Sequence, residues 1–196
     1  PGSDSLLESG IWQKLVDPFF LSFMAVGDTR DGRMEETRVF TERLQKHLAQ
    51  FQTKIGLQIN VSCPNTKHRP EELAKEAIAY LKIVSSLGVP VDLKINALAP
   101  IEAIKMIAQS GSLDSLTISN TIPWGELPER INWEKLFGTS ESPLVNFGGG
   151  GLSGAPLLPI VGDWVCGARR AGITIPIIAG GGILRPNDVD YLFDCG

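Results

Sequence analysis

Short apolar runs alternate along the chain with longer stretches whose apolar positions recur every three or four residues. "PFFLSFMAV" (18–26), "IGLQINV" (55–61), "VPVDLKIN" (89–96), "LDSLTISN" (113–120) and "ITIPIIAGGG" (173–182) read as strands. Between them, the stretch 34–51 spaces Val39, Phe40, Leu44 and Leu48 along one helical face. A second helix is expected over 70–87, closed by Gly88. Pro70 followed by Glu71 and Glu72 suits its start: proline fits the first turn, and carboxylates favour the positive end of the helix dipole. Further helices are expected from Pro100 to Gln109, from about Pro156 to Ala171, and over the closing "RPNDVDYLFDCG".

This β–α alternation predicts a parallel sheet with right-handed crossovers, hence an α/β barrel or an open α/β sheet. Two features favour the barrel. Polar residues gather where the chain leaves a strand, at Asn60, Asn96 and Asn120, and so do the glycine clusters "GGGGLSG" and "AGGG". In a barrel these ends converge on one mouth, and the later strand ends often bind phosphate. No strand leads into a Rossmann-type glycine fingerprint with an acidic residue at the right distance. The expected fold class is therefore α/β, a TIM (β/α)8-type barrel. A full barrel takes roughly 250 residues, whereas this chain has 196 with five or six strand-like runs. The expectation is one partial α/β-barrel domain over 1–196, holding about strands 3–7, with an irregular excursion over 121–145. Residues 1–3, "PGS", are set aside as a candidate tag remnant.

Composition narrows the functional classes. With 43% hydrophobic and 20% charged residues the profile is globular. Eighteen Lys+Arg against 22 Asp+Glu give a net charge of −4, with no basic stripe, which argues against nucleic acid as main partner. No apolar run approaches the roughly 18 residues of a membrane span, so no membrane role and a cytoplasmic location are expected. Cys63, Cys166 and Cys195 are odd in number and far apart in sequence, which disfavours a disulfide framework or a structural zinc site. His47 and His68 are the only histidines, and no metal is expected.

Individual residues carry candidate chemistry. Cys63 sits in "NVSCPN" at a strand tip, between Asn60 and Asn65 and beside the turn-forming Pro64. A packing residue, a metal ligand and a reactive thiol are all open readings, though two amides suit a polar site better than an apolar one. Lys94 lies within a strand that should be largely buried, so its ammonium requires a carboxylate, a ligand anion, or an edge position from which it reaches water. Asn120 and Thr121 read either as turn residues or as ligand contacts, and "GGGGLSG" as a connector or a binding loop. "AGGGI" lies between an apolar strand and a helix, a geometry whose free N–H groups cradle phosphate.

The order "NVSCPNT", "LKI", "ISNT", "GGLSG", "AGGGI" resembles the dihydroorotate dehydrogenases, FMN-dependent barrels of pyrimidine synthesis, over about residues 55–196. The resemblance implies that Cys63 is the catalytic base, taking a proton from C5 of dihydroorotate while a hydride leaves C6 for N5 of FMN. It implies that Asn60 contacts substrate and flavin, that Lys94 stands beside the flavin pyrimidine edge, and that Ser119 makes a backbone contact to FMN. Asn120 and Thr121 match the pair that hydrogen-bonds the substrate ring. Gly154, Gly181 and Gly182 match backbone contacts near the FMN phosphate. Cysteine rather than serine at 63 is similar to the soluble branch of the family.

The family's first two strands and its final strand have no counterpart in this chain. Where the third strand usually offers FMN an asparagine, the chain has Ser22. A five-strand parallel fragment would also leave two open edges, and association into a homo-oligomer is expected. The implied function is FMN-dependent oxidation of dihydroorotate, a small-molecule substrate. Two alternatives stand beside it: a related flavin barrel acting on another pyrimidine, including dihydrouridine in RNA, and a catalytically silent barrel fragment.

Overall fold

The computed structural model describes residues 2–61 and 70–196. In chain order its elements are α1 (Ser3–Glu8), β1 (Phe19–Phe23), α2 (Arg30–His47), β2 (Ile55–Asn60), α3 (Pro70–Val84), β3 (Val91–Ile95), α4 (Ile101–Ala108) and β4 (Ser115–Ile118). They continue with β5 (Ile122–Pro123), α5 (Trp133–Phe137), β6 (Gly151–Leu152), α6 (Leu157–Arg170), β7 (Ile177–Ala179) and α7 (Pro186–Asp194). Five strands form one parallel sheet in the order β1-β2-β3-β4-β7.

Two properties make this sheet a segment of barrel wall. Its strand order follows the chain without reversal, whereas a doubly wound sheet reverses at a switch point. Its two faces also differ in kind. Leu21, Leu57 and Val91 align in register, as do Phe23, Ile59, Leu93, Leu116 and Ile177. These rows pack in the same apolar core as Leu44, Leu81, Ile104 and Val161 from the helices. α2 packs on α3, α3 on α4, α4 on α6 and α6 on α7, as helices do around the outside of a barrel.

The opposite face carries two polar rows: Ser22, Gln58, Asp92 and Ser115, then Asn60, Lys94, Thr117 and Ile178. A one-residue shift in register would exchange these rows with the apolar ones, so the burial of the apolar set fixes which side chains face inward. Among the described residues the sheet is not closed: β1 and β7 are its edges.

Element bounds differ most from the sequence expectation in three places. α2 begins at Arg30 rather than Met34, because Thr29 caps it by accepting a hydrogen bond from the Gly32 N–H at 3.1 Å. β1 stops at Phe23, and of the expected 173–182 run only Ile177–Ala179 is strand, with Pro176 and Gly180 hydrogen-bonded to the β4 segment on either side. The expected excursion is not wholly irregular. β5 pairs antiparallel with β6, which brings its two ends together. Trp124 packs on Trp133 and Phe137, with ring centroids 4.8 and 5.1 Å apart, and Trp133 joins them to the main apolar core. The end of α3 matches expectation, passing through a 3-10 turn (Ser85–Leu87) into a left-handed Gly88 at φ 64°.

Candidate active site

All five parallel strands end on the same edge of the sheet, and the expected site residues in the described segments lie along it. Asn60 is the last residue of β2, and Lys94 lies beside it in register on β3. β3 is flanked by β2 and β4, so the edge-strand reading of Lys94 is overturned. None of the ion pairs among the described residues involves Lys94. A half-buried ammonium on a central strand, without a paired carboxylate, suits an anionic or electron-rich ligand.

Beneath that row, two residues earlier along the strands, Asp92 is fully buried. Its carboxylate accepts hydrogen bonds from Ser115 Oγ and Thr117 Oγ1, each at 2.7 Å, and from Gln58 Nε2 at 2.9 Å. Ser22 Oγ donates in turn to Gln58 Oε1 at 2.9 Å. Four adjacent strands are thereby tied together by side chains on the inward face. Hydrogen bonds to a charged acceptor are worth about 1.5–3 kcal/mol each, and satisfying both oxygens keeps this buried charge tolerable. Nothing in the strand pattern of "VDLKI" singled out Asp92 or Gln58. An acidic residue in the middle of an apolar strand was the signal that could have found them.

At the next strand end, the Ser119 N–H donates to the Gly180 carbonyl at 3.1 Å and its hydroxyl donates to the Asn120 carbonyl at 2.8 Å. Among the described residues no hydrogen bond uses the Ser119 carbonyl. Asn120 Oδ1 accepts from the Thr121 N–H at 2.9 Å, and Asn96 Nδ2 donates to the Thr121 carbonyl at 2.6 Å. Asn96 is 8% exposed and also accepts from the Leu98 N–H through Oδ1 at 2.9 Å, so it pins the tip of β4 to the tip of β3. Asn96, Asn120 and Thr121 form one wall of an open cleft of about 710 Å³, whose other wall is Gly148, Gly149 and Gly150.

The remaining glycines converge around the first turn of α6. Gly154, Gly181 and Gly182 have φ values of 85°, 115° and 77°, which glycine adopts at little cost. A β-carbon on Gly182 would fall 2.7 Å from Leu158 N and 2.8 Å from the Gly154 carbonyl. Gly154 and Gly182 are therefore in close backbone approach. Among the described residues no hydrogen bond uses the Gly181 or Gly182 N–H. Free amides, a helix start and no side chains fit the phosphate of a cofactor such as FMN. Cys63, the expected base, lies outside the described residues, as does Asn65.

Behind Asn60, Arg33 joins α2 to α3. It pairs with Glu76 at 2.7 Å, and Arg33 Nη1 donates to the Gly27 carbonyl at 3.1 Å. Tyr80 Oη donates to Glu76 Oε1 at 2.5 Å. Burial pushes the Tyr80 phenol up to about 12, with the Glu76 hydrogen bond adding to it. Burial also works to raise Glu76, but hydrogen bonds from Tyr80 and Arg33 outweigh it and hold the carboxyl below its usual value. The group borders a cavity of about 240 Å³ shared with Asn60 and anchors the loop that leaves β1.

Comparison with known proteins places the chain in a family. The family model described as dihydroorotate dehydrogenase matches residues 26–196. The chain belongs to the dihydroorotate dehydrogenase family. The catalytic subunit of dihydroorotate dehydrogenase B (NAD(+)) from Staphylococcus carnosus (strain TM300) is 33% identical over 82% of this chain and 50% of its own length. The corresponding subunit from Geobacillus sp. (strain WCH70) is 30% identical over 100% of this chain and 58% of its own length. A putative dihydroorotate dehydrogenase A (fumarate) from Solibacter usitatus (strain Ellin6076) is 32% identical over 68% of this chain. The chain thus spans about half the length of the curated relatives it matches. No helix among the described residues is long and apolar enough to cross a membrane.

Proposed function

We propose that the chain forms the catalytic wall of a flavin enzyme that oxidises dihydroorotate to orotate in pyrimidine synthesis. The observation that carries this reading is Lys94: a cation on a central strand, beside Asn60, pointing to the polar face without a paired carboxylate.

FMN bound at this face would supply the acceptor for the hydride removed from the substrate. Lys94 would stand beside it and favour negative charge there. The backbone of Gly154, Gly181 and Gly182 would hold its phosphate, with the Ser119 carbonyl as a further contact. Asn60, Asn120 and Thr121 offer amide and hydroxyl groups that match the alternating carbonyls and N–H groups of a pyrimidine ring. Asn96 would act through Thr121 by fixing the backbone that presents it. Cys63, as thiolate, would accept the proton lost from C5 of dihydroorotate.

Anaerobic mixing of the FMN-loaded protein with dihydroorotate tests the proposal. Bleaching of the flavin absorbance, slowed by Cys63→Ser near neutral pH, is the expected result. Bound flavin that dihydroorotate leaves oxidised would contradict the substrate. An unchanged bleaching rate in Cys63→Ser would remove the base assignment alone.

A further inference from the structure

Two thiols remote from the candidate site are brought together by the packing of α6 on α7. On one side of them, Tyr191 lies so close over Gly162 that any β-carbon there would collide with its ring and hydroxyl. On the other side, Arg169 Nε donates to the Gly196 carbonyl at 2.7 Å. A β-carbon on Gly196 would meet Arg169 Cγ at 2.6 Å. Gly162, Cys166 and Arg169 share one face of α6 by helical spacing, and Tyr191 and Cys195 share one face of α7. The two contacts therefore bracket the cysteines and set Cys195 against Cys166. The two thiols face each other as neighbours across this packing, and neither is fully buried.

We propose that Cys166 and Cys195 form a dithiol site that exchanges with small-molecule disulfides to give an internal disulfide joining α6 to the end of α7. In the first step one protein thiolate attacks a disulfide sulfur, forming a mixed disulfide and releasing one small thiolate. The second cysteine then attacks the protein sulfur of that mixed disulfide and releases the other. The protein gives up two electrons and two protons, and the small disulfide leaves as two thiols. Burial, followed by the interaction with Cys166, raises the Cys195 thiol above its usual value. The bond would fix α7 to α6, whose first turn meets Gly182, and so would couple the glycine cradle to the surrounding thiol poise. This inference does not depend on the flavin reading.

Oxidised glutathione is the probe. After incubation, free thiols are alkylated and the protein is mapped by peptide mass. The chain has three cysteines. We expect the peptides carrying Cys166 and Cys195 to be linked, without added glutathione, and to separate again with dithiothreitol. Cys166→Ser and Cys195→Ser should each trap the remaining cysteine as a mixed disulfide carrying one glutathione. The oxidised wild type should melt at a higher temperature than the reduced form, and neither serine variant should show that rise. Separate glutathione adducts on both wild-type cysteines, two unreacted thiols, or linkage to Cys63 or a second copy would each overturn the proposal.

Discussion

Asn60 and Lys94 stand side by side in register on β2 and β3, on the sheet face turned away from the helices. In a complete barrel that face is the interior, so the pair looks into the space where a barrel enzyme binds its ligand. The row beneath them, centred on Asp92, supports their position, and its energetics can be tested without any cofactor.

Replacing Asp92 with alanine removes the acceptor shared by Ser115, Thr117 and Gln58. Three inward-facing donors lose this acceptor, Gln58 Nε2 keeping only Thr117 Oγ1 at 3.2 Å, and the expected loss is about 2–4 kcal/mol of unfolding free energy. Asp92→Asn keeps one acceptor oxygen and should cost less. Urea denaturation of the two variants checks both the size and the order. Equal stability of wild type and Asp92→Ala would show that the row contributes nothing.

The two glycines of the cradle should respond differently to alanine. Gly182 combines a positive φ with close backbone on two sides, so Gly182→Ala should cost about 1–3 kcal/mol and displace the first turn of α6. Gly154 has a positive φ but open space around it, so Gly154→Ala should cost only about 1 kcal/mol. Thermal melts of both variants give the comparison.

The Arg33–Glu76–Tyr80 group makes stability depend on pH at both extremes. Glu76 is held below its usual 4.5, so its contribution is present above that value and is lost as pH falls through the lower folded value. Tyr80 is raised from 10 to about 12, so its contribution is intact below pH 10 and is lost as pH rises through that interval. A melting-temperature profile of wild type against Glu76→Gln should converge on the acid side and diverge near neutrality. Parallel profiles throughout would contradict the coupling.

Much of the fold was legible in the alternation of apolar runs with helical periods, because burial dictates that pattern directly. The parallel sheet followed from it, whereas the barrel order with helices on one side was read from the polar strand ends and the glycine clusters. What was not legible had three physical origins. The first turn of α2 carries no apolar residue, so periodicity placed its start at Met34, and only the Thr29 cap marks Arg30. Asp92 is hidden in sequence because its partners come from β2 and β4, a relation that register creates. Cys166 and Cys195 read as unrelated thiols, since their meeting depends on how α6 and α7 pack. Of the candidate site, Asn60, Lys94, Ser119, Asn120, Thr121 and the glycines were named from strand-end position and family resemblance. Asn96 drew notice only as a polar residue at a strand end, and its hold on Thr121 emerged from the structure.

The central claim is that this wall binds FMN through Lys94 and the glycine cradle. Titration of the purified chain with FMN, followed by flavin fluorescence, tests it most directly. The expected result is saturation at one FMN per chain, with Lys94→Met weakening binding about tenfold or more, equivalent to roughly 1.4 kcal/mol, at an unchanged melting temperature. No uptake of FMN, or equal affinity in wild type and Lys94→Met, would contradict it.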